Sequence, residues 1–380
     1  MKKIALLLVL TIFLSTFTPS THAEDLAEGI KNAILIESST GNTLYEKNPD
    51  EKVNIASITK IMTMLLIMER IESGALSLDE LVTVSDNAMS YGGSTMFLET
   101  GERLSVHDML KGIAVASAND GCVAMAEHIA GTEGKFVEMM NQRASELGMT
   151  NTCFKNSNGL DEDGHFSSAR DVAIMSRELL KHPKITEYTT IWMDSLRDGK
   201  FQLANTNKLI RFYQGATGLK TGSTSKAGCC LSASAQRDGM SLVAVVLGAE
   251  NTKIRFSGAR ALLDYGFSNF CVKNYIESGT PLGTITVSKG RKPKIEVESA
   301  ESFFKLQEKS NTTEAEKVVS FPERICAPID KGDKVGEVAF FVDGQKIKTI
   351  DIIASEEVAK KSIAMMFADL LYVWITSRTL

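Results

Sequence analysis

Ser57-Ile58-Thr59-Lys60-Ile61-Met62-Thr63-Met64 opens a long apolar run in which Ile58, Ile61, Met62, Leu65, Leu66 and Met68 recur at helical spacing until Gly74. The pattern predicts a helix starting near Ser57. Upstream, Ala33 to Glu37 and Thr43 to Glu46 are strand-like and are joined by Ser38-Ser39-Thr40-Gly41-Asn42, which reads as a hairpin. Downstream, Ser105-Val106-His107-Asp108 resembles a capping box opening a helix over Met109 to Ala116, and Ser168-Ala169-Arg170-Asp171 opens another reaching about Leu180. From Gly228 the period changes to strands, Gly228 to Ala235 and Leu242 to Gly248, separated by the turn signal Arg237-Asp238-Gly239, and Ala259 to Tyr265 then reads helical. Two strands, several helices, then strands and a helix make an α/β layered domain.

Beyond about Phe270 the texture is short and alternating, with runs at Ile285 to Val287, Ile295 to Val297, Val335 to Val342 and Ile347 to Ile353 and an Asp343-Gly344 turn. A separate small β domain is expected there. With 380 residues, more than one core is expected at roughly 150 residues per domain. A composition 43% hydrophobic and 23% charged, with 7 Pro, is that of a globular protein. The 42 basic residues against 47 acidic ones leave no electrostatic footprint for a nucleic acid partner.

Met1-Lys2-Lys3, the apolar Ile4 to Leu14 and the small residues of Thr21-His22-Ala23 have the form of a secretory signal peptide over 1–23. The protein is therefore expected to be exported. Its six Cys show no framework of regular spacing, and the adjacent Cys229 and Cys230 are expected on opposite faces of a strand. Neither a Cys-x-x-Cys nor a His-Glu-x-x-His pattern occurs, so no metal or organic cofactor is expected. His107, His128, His165 and His182 stand apart from any nucleophile-elbow motif and read as surface or capping residues.

Three short elements carry chemistry. Ser57 and Lys60 lie three positions apart at a helix start, on one face, so that an amine can take a proton from a hydroxyl nucleophile. The helix N-terminus adds N–H groups for an oxyanion. The spacing alone is cheap, since Ser223-Thr224-Ser225-Lys226 and Ser302-Phe303-Phe304-Lys305 repeat it. The second element, Ser-x-Asn, occurs as Ser85-Asp86-Asn87 and as Ser117-Ala118-Asn119. Ser85 reads as a helix cap; Ser117 and Asn119 interrupt an apolar run, where polar groups need partners, and are preferred. The third, Lys220-Thr221-Gly222, occurs once, just before the strand from Gly228. Its Lys and Thr can hold a carboxylate, and its Gly lets a peptide approach the strand edge.

Taken in order, Ser57-x-x-Lys60, Ser117-x-Asn119 and Lys220-Thr221-Gly222 resemble the penicillin-recognising serine transferases, and more narrowly the low-molecular-mass D-alanyl-D-alanine carboxypeptidases. Matching stretches include Met96-Phe97-Leu98, Asn158-Gly159-Leu160, Ser167 to Asp171 and Ala244 to Gly248. The resemblance implies a β-lactamase/transpeptidase-like α/β sandwich domain over 24–270, a small all-β domain over 271–355 and an amphipathic membrane-anchoring helix over 356–380. It implies Ser57 as the acylated nucleophile, Lys60 as its base and Ser117 as a proton relay. Asn119 holds the substrate amide and orients Lys60. Lys220 and Thr221 receive the terminal carboxylate, with Arg255 assisting from the strand's far end, and the N–H groups of Ser57 and Ser223 form the oxyanion hole. Several relatives carry His at the position of Ser223 and Asp at that of Thr217, which touches rate and pH profile more than the backbone oxyanion hole.

The implied reaction is removal of the terminal D-Ala from peptidoglycan pentapeptide, with β-lactams as inhibitors, at the outer face of the bacterial cytoplasmic membrane. A serine β-lactamase is the alternative, but its Glu-x-x-Leu-Asn water-activating segment does not occur. Endopeptidase cleavage of cross-links stays open, as does a wall-binding scaffold with a retired site, against which the intact Ser57, Lys60 and Lys220 count. In the C-terminal segment Ile363, Met366, Phe367, Leu370, Leu371, Trp374 and Ile375 fall on one helical face, with Lys360, Lys361, Asp369 and Arg378 at or beyond its margins. Too short to span a bilayer, it is expected to lie on the membrane surface; docking on the protein's own β domain is the alternative.

Overall fold

A computed structural model describes residues 25–311 and 313–376; the expected signal peptide and Arg378 lie outside them. The chain divides into two compact units. One runs to Ile36 and adds Thr43–Ala235 and Leu242–Asp264; the other holds Glu37–Asn42, Gln236–Ser241 and the chain from Tyr265 onward.

In the first unit, β1 (Asn32–Glu37) and β2 (Thr43–Lys47) form the expected antiparallel hairpin. They join β3 (Ala216–Thr224), β4 (Gly228–Arg237) and β5 (Met240–Ala249) in a five-stranded sheet of order β2-β1-β5-β4-β3. Asp238 and Gly239, both at positive φ, make the turn between β4 and β5. Cys229 is partly exposed and Cys230 buried, on opposite faces of β4.

The central helix α1 (Lys60–Glu72) is buried at every position from Lys60 to Met68. Its spacing suggested a stripe; burial on all sides explains why Met64 and Ile67, off that stripe, are apolar too. Around it stand α2 (Val106–Lys111), α3 (Asn119–Ala130), α4 (Glu133–Glu146) and α5 (Ala169–Leu180). Ser105 accepts from the Asp108 N–H and Ser168 from the Asp171 N–H, so both expected caps form.

The segment expected as one helix over Met109 to Ala116 is instead α2 followed by a π-type turn, Gly112–Ala116, which ends on Ser117 in the left-handed region. Met96 supplies the reason. Its fully buried thioether fills the space that a Cβ on Gly112 or Gly121 would need, packing directly against both segments. A long helix, α6 (Thr252–Asn269), follows β5.

In the second unit, β6 (Phe270–Ile276) pairs with β9 (Phe303–Glu308). A six-stranded sheet contains β7 (Pro281–Ser288), β8 (Lys294–Ser299), β10 (Glu316–Ser320), β11 (Arg324–Cys326), β12 (Lys334–Val342) and β13 (Gln345–Ala354) in the order β10-β12-β13-β8-β7-β11. Alternate residues Ile285 and Val287, Ile295 and Val297, Val338 and Phe340, Ile350 and Ile352 point into its core. The unit ends in α7 (Ile363–Thr376).

Candidate active site

The turn that carries Ser57 begins with strain. Ala56, immediately before Ser57, has φ +48, a region costly for a residue with a Cβ. Several groups hold it there. Thr59 Oγ1 donates to the Ala56 carbonyl at 2.9 Å, and His165 Nε2 lies 2.8 Å from the same hydroxyl. The Lys155 N–H donates to His165 Nδ1 at 3.2 Å, so the ring proton sits on Nε2 and is given to Thr59. Gly159, at φ +86, packs so closely on the Ala56 carbonyl that a Cβ there would overlap it. His165, expected at the surface or in a cap, is 3% exposed. Its burial pushes the imidazole down to about 4, so it stays neutral and keeps this hydrogen-bond order at ordinary pH. The other three His have peripheral partners: His107 Tyr188, His128 Glu80 and His182 Glu72.

Lys60 is fully buried, and its Nζ contacts three oxygens: Ser57 Oγ at 3.0 Å, Asn119 Oδ1 at 2.6 Å and the Asn158 carbonyl at 2.6 Å. Burial lowers its amine to about 8. The arrangement sorts the atoms of a neutral amine. Two of the three oxygens can only accept and therefore take its two N–H bonds, leaving the lone pair facing the Ser57 hydroxyl. Asn119 is itself oriented by donating through Nδ2 to the Gly92 carbonyl at 2.7 Å. Its neighbour Asp120 accepts from the Met96 and Leu98 N–H groups, tying that loop to α3. Ser117, 4% exposed, occupies the left-handed corner two residues before Asn119.

Lys220, Thr221 and Gly222 lie on β3. Gly222 is needed for close approach: a Cβ there would stand 3.0 Å from the Ser57 nitrogen and 2.8 Å from the Ile55 carbonyl. Lys220 is 1% exposed and donates to the Thr221 carbonyl at 2.8 Å. Burial first, then the charge of Lys60, holds its amine well below the ordinary lysine range. Thr221 Oγ1 donates to Thr206 Oγ1 at 2.7 Å. Arg255 stands not on a strand, as expected, but in the first turn of α6. Its Nη1 is 3.4 Å from the Gly222 carbonyl, while its buried Nε has no hydrogen-bond partner among the described residues and can donate to an anion. Ser223 is paired across the strands with Cys229.

The competing motifs sit elsewhere. Ser85 caps a short helix by accepting from the Ala88 N–H, and its hydroxyl donates to Glu127. Ser302 accepts from the Ser278 N–H in the second unit, and Lys226 pairs with Asp163. Two contributors escaped sequence reasoning. The Asn158 carbonyl is a backbone group without a side-chain signature, and His165 could be found only by asking what holds the Ser57 turn.

The family model for peptidase S11, D-alanyl-D-alanine carboxypeptidase, matches residues 19–251, and that for the penicillin-binding protein 5 C-terminal domain matches residues 270–360. The D-alanyl-D-alanine carboxypeptidase DacF of Bacillus subtilis (strain 168) is 43% identical over 371 residues, covering 95% of each chain. DacC of Escherichia coli (strain K12), also a D-alanyl-D-alanine carboxypeptidase, is 33% identical over 91% of this chain and 90% of its own. Among solved structures, penicillin binding protein 5 from Haemophilus influenzae superposes with TM-score 0.71 at 30% identity, covering 87% of this chain and 98% of that one. With a family model spanning most of the first unit and relatives this similar along nearly the whole length, the chain belongs to the D-alanyl-D-alanine carboxypeptidase family of serine peptidases.

Proposed function

We propose that Ser57 is the acylated nucleophile of this carboxypeptidase and Lys60 its general base. The observation that carries the reading is the three-oxygen environment of Lys60 Nζ, which aims the free lone pair at Ser57. As Ser57 Oγ attacks the carbonyl between the two terminal D-Ala residues, its proton passes to Lys60. The negative charge forming on the carbonyl oxygen is taken by the Ser57 and Ser223 N–H groups. The C–N bond then breaks, the proton reaching the departing D-Ala amine by way of Ser117. Water attacks the ester with Lys60 again as base, releasing the shortened peptide and restoring Ser57.

Lys220, Thr221 and Arg255 receive the terminal carboxylate. A buried amine disfavoured as a cation gains most from an anion beside it, so the substrate's own charge completes the site. β-Lactams, which mimic this substrate, acylate the same hydroxyl. The Listeria monocytogenes penicillin-binding protein D2 solved in ampicillin-bound form, 32% identical over 63% of this chain and 98% of its own with TM-score 0.58, supports that reading. Release of D-Ala from a peptide ending in D-Ala-D-Ala tests the assignment. Ser57→Ala and Lys60→Ala are expected to abolish it, and turnover kept by either would contradict it.

The division into a signal peptide over 1–23, a catalytic domain over 24–270, a β domain over 271–355 and an anchor over 356–380 is part of the same proposal. So is its consequence, an exported enzyme held peripherally at the outer face of the cytoplasmic membrane. Exposure of α7 supports the anchor. Ile363 and Trp374 are 83% exposed, Ile375 75% and Phe367 62%, so large apolar side chains face solvent along the helix. Met366, Asp369 and Val373 form its less exposed side, and no helix among the described residues is long and apolar enough to cross a membrane. Vesicle flotation lost on deleting Ser362 to Leu380, with soluble-substrate activity kept, is expected.

A further inference from the structure

The proposed anchor does not stand alone: the β domain sets a ring of cations at its root. Lys289-Gly290-Arg291-Lys292-Pro293-Lys294 links β7 to β8, placing four cations within six residues. Backbone pairing fixes this turn against the segment that enters α7. The Lys361 N–H donates to the Lys289 carbonyl at 2.8 Å, the Arg291 N–H donates to the Ala359 carbonyl at 2.9 Å, and Gly290 bridges to Lys360. On the neighbouring strand, β11 runs parallel to β7 with Arg324 opposite Thr286.

Two of these charges are already neutralised, Lys292 by Glu356 and Lys361 by Asp369 of α7. Lys289, Arg291, Lys294, Arg324 and Lys360 are exposed and have no ion-pair partner among the described residues. Beside them a cavity of about 400 Å³ is lined by Ser288, Lys289, Arg324 and Lys361 on one side and by Met366, Asp369 and Leu370 of α7 on the other, the Asp369 carboxylate there being paired with Lys361. Cationic and hydroxyl groups thus meet the first turns of an exposed apolar helix.

We propose that this collar is a headgroup site for anionic phospholipid. A phosphodiester would sit among Lys289, Arg324 and Ser288, with its acyl chains leaving along Met366 and Leu370 beside the apolar face of α7. Cations near an anionic surface and an apolar helix face act additively, so the collar makes binding selective for membrane charge where the helix alone would supply only apolar affinity. The inference rests on the reading of α7 as a membrane-surface anchor, and its test separates the two.

Flotation of the full chain is measured with vesicles of phosphatidylcholine alone and of phosphatidylcholine mixed with phosphatidylglycerol. The wild type is expected to favour the anionic vesicles. A Lys289→Gln/Arg291→Gln/Lys294→Gln variant is expected to lose about five-fold in binding to them per cation removed, with phosphatidylcholine binding unchanged. Arg324→Gln, on a different strand, is expected to lose a similar factor, and an unchanged circular dichroism spectrum and thermal unfolding profile check that the β domain of both variants folds. Equal flotation of the wild type on both vesicles, or an undiminished anionic preference in both variants, would overturn the collar while leaving the anchor intact. Flotation that survives deletion of Ser362 to Leu380 would overturn the anchor itself.

Discussion

Asn119→Asp changes one atom type at the point that matters most. Asn119 Oδ1 lies 2.6 Å from Lys60 Nζ, and Lys60 is fully buried. Replacing a neutral acceptor by a carboxylate stabilises the ammonium over the amine by about 4 kcal/mol for charges at about 4 Å in an effective dielectric near 20. At about 1.4 kcal/mol per pH unit this raises the Lys60 pKa by about three units. Starting from about 8, the base moves to about 11. At pH 8 the neutral fraction then falls from about one half to about one in a thousand, so acylation should slow by about 500-fold. The assay is the acylation rate at saturating fluorescent penicillin from pH 6 to 10, which separates the chemical step from carboxylate recognition. Wild-type rates are expected to rise through a midpoint near 8 and level off, whereas variant rates should still be climbing at pH 10. An unshifted midpoint, or a loss below ten-fold at pH 8, would refute the assignment of Lys60 as a base whose pKa is lowered by this environment.

Gly159→Ala places a Cβ on a residue at φ +86 and against the Ala56 carbonyl, so a stability loss of about 2 kcal/mol or more is expected in chemical denaturation, with acylation slowed at least about ten-fold. His165 is buried with a pKa near 4, against an ordinary 6.5, so between those values only the unfolded chain takes up the proton. Its contribution is complete above pH 6.5 and declines by about 1.4 kcal/mol per pH unit as pH falls toward 4; urea titrations of His165→Gln should show a shallower decline over that window. Lys220→Ala should weaken acylation by substrates ending in a carboxylate and leave carboxyl-amidated ones little changed, as a comparison of KM values would show; equal losses for both would contradict its role.

Local patterns were legible wherever one residue type dictates a local geometry. The caps at Ser105 and Ser168, the hairpin from Asn32 to Lys47 and the turn at Asp343-Gly344 all formed where residue chemistry placed them. Ser57, Lys60 and Asn119 were legible as types at a spacing, though the decoys at Ser223 and Ser302 needed the fold to set them aside. What escaped reading depends on distant partners. The π-type turn at Gly112–Ala116 is set by Met96, sixteen or more residues away, and the role of His165 by Thr59, 106 residues earlier. The resemblance puts Arg255 at the far end of a strand, whereas it stands in α6, which already begins at Thr252. A backbone carbonyl such as that of Asn158 leaves no mark on sequence, although it supplies one of the three bonds that define Lys60.

The central claim is that one hydroxyl, Ser57, forms the acyl-enzyme. Incubating the full chain with fluorescent penicillin and mapping the adduct by peptide mass spectrometry tests it directly. One acyl group on the peptide containing Ser57, absent in Ser57→Ala, is the predicted result; an adduct on Ser117, Ser223 or Ser302 would contradict the account.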